Sequence, residues 1–118
     1  MARRHKQYAA ETGVSYEYFF AGTRHVIRPE GLGSGAEYEF VVVPGAASPF
    51  TLRVFVSDTA LATWQALRGR DLSPNEIYAA AKMRLFQAFD DGGPLRADGL
   101  DLLVDGENIE ALLEPLDL

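Results

Sequence analysis

Residues 14–28 read Val14-Ser15-Tyr16-Glu17-Tyr18-Phe19-Phe20-Ala21-Gly22-Thr23-Arg24-His25-Val26-Ile27-Arg28. Over 14–20, Val14, Tyr16, Tyr18 and Phe20 alternate with Ser15, Glu17 and Phe19, a period of two in residues that favour strands. Ala21, Gly22, Thr23 and Arg24 fit a two-residue type II′ hairpin with Gly at the first central position, so the chain is expected to return as a second strand over 24–28. That register sets Phe20 opposite His25, Tyr18 opposite Ile27, Phe19 opposite Val26 and Glu17 opposite Arg28. Aromatic then meets aliphatic on one face, and opposite charges meet on the other.

Downstream, Gly31, Gly33 and Gly35 mark 29–36 as a flexible loop. A third strand is expected over 37–43, with Tyr38, Phe40 and Val42 on one face and Glu37, Glu39, Val41 and Val43 on the other. After a loop at 44–49, Leu52, Val54 and Val56 alternate with Thr51, Arg53 and Phe55 in a fourth strand over 51–56. Four strands in succession suggest an antiparallel meander.

The helical half begins at Ser57, an N-cap for a helix over 58–68 that puts Ala60, Leu61, Trp64 and Leu67 on one side and stops at Gly69. Leu72-Ser73-Pro74-Asn75-Glu76-Ile77 then carries a complete helix start. Ser73 and Glu76 make a capping box, Pro74 needs no donor at the first helical position, and Leu72 can staple onto Ile77. Over 74–90 the inward sector is Ile77, Tyr78, Ala81, Leu85, Ala88 and Phe89, with Asn75, Glu76, Lys82, Arg84 and Gln87 on the outer side. Phe86 falls on the shoulder of this helix and Met83 on its polar side. Residues 100–104 suggest a short strand, and 108–114 a short acidic helix with Ile109, Leu112 and Leu113 inward.

The fold class is therefore α+β: a four-stranded antiparallel meander, two helices packed on one face, and a small acidic C-terminal element. A length of 118 residues suits one domain, read here as a flexible basic N-terminal arm over 1–12 and a single domain over 13–118. The absence of cysteine excludes disulfides and thiolate metal sites and points to a reducing compartment, the cytoplasm. No apolar run approaches a membrane span, and the basic start is not followed by an apolar signal core, so no membrane is expected. The formal charge of −6 is uneven: residues 1–28 hold five Arg or Lys against two Glu, whereas residues 89–118 hold nine acids against Arg96. Such an acidic chain repels phosphate backbones, which makes nucleic acid an unlikely partner.

No chemical motif is complete. The glycines at 31–35 lead into a strand, not a helix, and lack the GK[ST] ending, so neither dinucleotide nor P-loop chemistry follows. Asp101, Asp105 and Glu107 lack the remaining ligands of a calcium loop, because Leu103 and Leu112 occupy ligand positions, and Asp105-Gly106 reads as a turn. His5 and His25 have no nucleophile or carboxylate at a catalytic spacing. The helix pair lacks the small residue a DNA-binding helix-turn-helix wants near its turn, where Gln65 stands. Arg3, Arg4 and Lys6 offer at most weak phosphate contacts. No cofactor and no metal site are assigned.

Two functional readings remain. The sheet face away from the helices would carry Phe19, Val26, Val41, Val43 and Phe55 among Glu17, Arg24, Arg28, Glu37, Glu39 and Arg53. An apolar centre ringed by charge suits an interaction surface. This face, or the shoulder formed by Met83 and Phe86, makes a self-associating module, a homodimer or a partner of another protein, the leading expectation, with Phe19, Val26, Val41, Val43, Arg53, Phe55, Met83 and Phe86 as candidate interface residues. The alternative is a small-molecule site or enzyme with an aromatic pocket between sheet and helices, lined by Tyr16, His25, Tyr38, Trp64 and Tyr78. A third reading, an acidic mimic, would need the carboxylates of 98–114 on one surface.

Overall fold

The computed structural model describes residues 5–28, 31–43, 48–91 and 101–116, and in it the aromatic run forms one unbroken strand where a hairpin was expected. Strand β2, Ser15–Arg28, runs antiparallel to β3, Gly33–Val43, along its length from Glu17. Tyr18 therefore faces Val42, Phe19 faces Val41 and Phe20 faces Phe40, while His25 faces Ala36, Val26 faces Gly35, Ile27 faces Ser34 and Arg28 faces Gly33. None of the four expected hairpin pairs forms. Gly22, with φ of 151°, serves instead at a bulge where the register slips between Phe20 and Gly22. In a two-residue hairpin the two halves of the run could pair only with each other, whereas β3 is long enough to pair with both at once, so long-range pairing overrides the local turn preference.

Residues 33–36, expected in a loop, are thus the first part of β3, and the positive-φ turn glycines are Gly31 (86°) and Gly33 (74°). Gly35 has a different reason to be glycine. It is buried in the strand, and a β-carbon there would stand 2.4 Å from the Val56 carbonyl oxygen on the neighbouring strand. That strand, β4, is Phe50–Ser57 and pairs antiparallel with β3. The helices follow at the expected limits: α1 is Asp58–Arg68 and α2 is Pro74–Asp90. Ser57 Oγ accepts from the Ala60 amide, and Ser73 and Glu76 form the reciprocal capping box.

After α2 the chain re-enters the sheet as β5, Asp101–Val104, parallel to β4, with Val54 facing Leu102 and Val56 facing Val104. Two helices intervene between β4 and β5, the kind of long crossover a parallel neighbour requires. At the opposite side Lys6–Ala9, within the stretch expected to be an arm, pairs antiparallel with β2 as edge strand β1. The four-stranded meander is corrected accordingly. Among the described residues the sheet has five strands in the order β1-β2-β3-β4-β5, mixed in direction, and a third helix, α3 (Ile109–Leu113), continues into a 3₁₀ turn at Glu114–Leu116. The α+β class stands.

The core lies between sheet and helices. Tyr18, Phe40, Val42, Leu52, Val54 and Val56 meet Trp64, Leu85 and Phe89, and Leu102, Val104, Ile109 and Leu113 extend the same cluster. Leu67, expected inward, is 58% exposed at the last turn of α1, beyond the part of the helix that contributes Ala60 and Trp64 to the core. The C-terminal elements pack on α1 and α2. They therefore add to the edge of the sheet and the helical layer and leave its far face to other groups. Residues 29–30, 44–47, 92–100 and 117–118, which held parts of the expected loops and the start of the 100–104 strand, lie outside the described residues.

Candidate functional site

On the far face the dominant feature is a buried carboxylate. Glu37 is 4% exposed, although no described helix covers it. Arg24 donates to its Oε1 through Nε (3.2 Å) and Nη2 (3.0 Å), Arg28 Nη2 donates to Oε2 at 2.7 Å, and Arg53 Nε lies 3.8 Å from Oε1. The strand register explains the convergence: Glu37 faces Arg24 on β2 and Phe55 on β4, and the neighbouring pair is Glu39 with Arg53. Although the hairpin is absent, each residue keeps its expected face, because a bulge reverses side-chain parity as a two-residue turn does.

This cluster changes what the candidate interface residues present to solvent. Phe55 is only 1% exposed, with the Arg28 guanidinium 4.9 Å from its ring centroid, so it is a covered residue and not an exposed anchor. Phe19 stacks on the His5 ring with centroids 4.7 Å apart, and His5 Nδ1 pairs with Glu17 Oε1. Val26, Val41, Val43 and Arg53 are half-buried. Met83 and Phe86 lie elsewhere, on α2, where Tyr8 of β1 stacks on Phe86 at 4.3 Å with the rings 2° from parallel.

The proposed pocket residues do not line one cavity: Tyr16, Tyr38 and Trp64 belong to the core, Tyr78 packs against it, and His25 lies on the surface. Tyr16 stacks on Phe89 at 4.3 Å, the Tyr38 and Tyr78 rings lie 6.1 Å apart, and both belong to a group with Phe20 and Phe40. Trp64 is 1% exposed with Arg68 above its ring, and among the described residues its Nε1 has no hydrogen-bond partner. His25 is exposed, with Nε2 3.5 Å from Asp58 Oδ2, and faces Ala36, not Phe20. Burial raises the phenol pKa of Tyr18, Tyr38 and Tyr78. Lys82, above the Tyr78 and Phe86 rings, is lowered by burial and then by the charge of Lys6.

A concave site lies beside that aromatic group. Between β1 and the C-terminal helical elements, one face of α2 floors a groove of about 480 Å³. Met83, Phe86, Leu112 and Pro115 supply apolar lining, and Asp90 stands among them. Tyr8 Oη donates to Asp90 Oδ2 at 2.7 Å, and the Glu11 amide donates to Oδ1 at 3.0 Å. The hydrogen bond to Asp90, with burial, pushes the Tyr8 phenol up to about 12. Met83 and Phe86 carry a sequence signal, being apolar residues off the inward sector of α2. Tyr8 and Asp90 carry none, since they are 82 positions apart.

The two outer edges of the sheet are treated differently. At β5 the Leu103 carbonyl accepts from Arg84 Nε (3.1 Å) and Asn108 Nδ2 (2.9 Å), so side chains occupy that edge. At the other side, among the described residues, β1 pairs with β2 from Ser15 to Tyr18. Among the described residues, no strand pairs with the outer edge of 20–27. Ile27, on this stretch, is 77% exposed.

Compared with known proteins, the chain matches no family model, no curated protein and no solved structure. Among the described residues no helix is long and apolar enough to cross a membrane, and no three His, Asp or Glu side chains are grouped as a metal site would need.

Proposed function

We propose that the protein is a small cytoplasmic interaction module that self-associates, and that the outer edge of β2 over 20–27 is where two copies meet. The observation that carries this reading is the contrast between the two sheet edges. An open strand edge offers unpaired amides and carbonyls to another strand, and soluble proteins usually blunt such edges. The β5 edge is blunted by Arg84 and Asn108, whereas the β2 edge is bordered by Ile27 at 77% exposure. Two copies related by a two-fold axis can pair this edge antiparallel, an isologous contact that closes after two subunits. Arg24 and Arg28 are each engaged by Glu37 within their own subunit, which draws both guanidinium groups onto the far face. The half-buried Val26 and Val41 lie beside the joint on the far face. The absence of cysteine supports a reducing compartment.

Sedimentation velocity over a wide concentration range tests the proposal. A monomer–dimer equilibrium is expected that Ile27→Lys shifts to monomer and that Leu67→Lys, an equally conspicuous exposed leucine on α1, leaves in place. A chain that stays monomeric at all concentrations, or a dimer lost equally with both substitutions, would remove the reading.

A further inference from the structure

The groove over α2 has a chemistry that self-association does not use. Its apolar lining comes from three separate parts of the chain: Met83 and Phe86 from α2, Tyr8 from β1, and Leu112 with Pro115 from the C-terminal helical elements. Its volume of about 480 Å³ falls within the range of small-molecule sites, roughly 300–1,000 Å³. Among the described residues three carboxylates, Glu11, Asp90 and Asp91, line it, and no Lys, Arg or His does. Among the described residues none of the three has a basic ion-pair partner. This differs from the far face, where Glu37 is surrounded by guanidinium groups.

Asp90 is also positioned. Each of its oxygens accepts one hydrogen bond, from Tyr8 Oη and from the Glu11 amide, which fixes the carboxylate beside the apolar lining and leaves acceptor capacity on both oxygens. A negative, preorganised acceptor next to an apolar surface is complementary to a molecule with a hydrocarbon body and a positive head. We infer that the groove between β1 and the C-terminal helical elements binds a small organic cation, its ammonium group at Asp90 and its apolar body on Met83, Phe86, Leu112 and Pro115. Glu11 and Asp91, both exposed, add attraction at the mouth of the groove.

The test uses two probes with one ring and opposite charge, phenethylammonium and phenylpropanoate, titrated into the full chain while NMR follows the Met83 and Leu112 methyl groups. Saturable shifts at both residues are expected with the amine and none with the carboxylate. Asp90→Asn, which keeps an oxygen for Tyr8 but removes the charge, should weaken amine binding about tenfold, the loss expected for one charge-assisted hydrogen bond. Should Asp90→Asn disturb the fold, the surface double variant Glu11→Gln/Asp91→Asn should still weaken the amine severalfold. Equal binding of both probes, shifts that do not saturate, or an affinity unchanged in these variants would overturn the inference. The dimer equilibrium plays no part in these readouts.

Discussion

Gly35 lies directly under the Phe55 ring: a β-carbon added to Gly35 would stand 2.8 Å from the Phe55 Cζ and 2.4 Å from the Val56 carbonyl oxygen. The first contact can be relieved by moving a ring, but the second is with backbone in the middle of the sheet. Gly35→Ala is therefore expected to cost about 3 kcal/mol, the upper part of the usual range for overpacking. Its unfolding midpoint in urea would show this. A variant within a few tenths of a kcal/mol of the parent would mean that β3 and β4 are not held this close.

The Glu37 cluster gives an electrostatic counterpart. Its side chain is 5% exposed and its carboxylate is shared by Arg24, Arg28 and Arg53, so Glu37→Gln leaves guanidinium groups together on one face without the anion between them. Breaking a buried pair at one partner costs about 3 kcal/mol or more. Arg24→Met, at a side chain 66% exposed, should cost under about 1 kcal/mol. Chemical denaturation of the two variants separates them, and equal losses would contradict this ranking.

These two sites also show what is legible in a single sequence. The limits of α1 and α2 are readable because caps are local: Ser57, Ser73, Glu76 and Gly69 act within four residues of their partners. The face of each sheet residue is readable because it follows from parity, and Glu37, Arg24, Arg28 and Arg53 share a face under either topology. Register is not local. Gly22 has the signature of a hairpin turn, and only the partner supplied by β3 makes it a bulge; Gly35 looks like loop glycine until β4 is set against it. The groove is less legible still, since Tyr8, Met83 and Leu112 come together only when β1 and α3 dock on α2.

At the start of α2, Ser73 Oγ accepts from the Glu76 amide at 3.2 Å and the Glu76 carboxylate accepts from the Ser73 amide at 2.8 Å. Ser73→Ala should cost about 1 kcal/mol without altering self-association. Glu76 adds a pH dependence. The Arg70 guanidinium first, and then the Ser73 amide, hold its carboxyl at about 2, below its ordinary 4.5. Its stabilising effect is thus complete above pH 4.5 and is lost as pH falls towards about 2. Denaturation of the parent and of Glu76→Gln should show a gap at neutral pH that closes across this window. A gap that persists unchanged into acid would argue against the Arg70 and Ser73 contacts.

Tyr8 makes the opposite prediction at the alkaline end. Its phenol donates to Asp90 and is pushed from an ordinary 10.0 to about 12, so the folded state favours the protonated form. The stabilisation is complete below pH 10 and disappears as pH rises through about 12. Tyr8→Phe keeps the ring stacked on Phe86 but removes the donor, and should cost about 1 kcal/mol at neutral pH, less than is usual for a hydrogen bond to a charged group because this site is reached by solvent. The difference between parent and variant should vanish as Tyr8 ionises. Ultraviolet titration of the tyrosines supplies an independent reading: the most alkaline transition of the parent is expected to be missing from Tyr8→Phe. If that transition remains, the hydrogen bond that tethers β1 to the end of α2 is not formed in solution, and the groove built on it loses one wall.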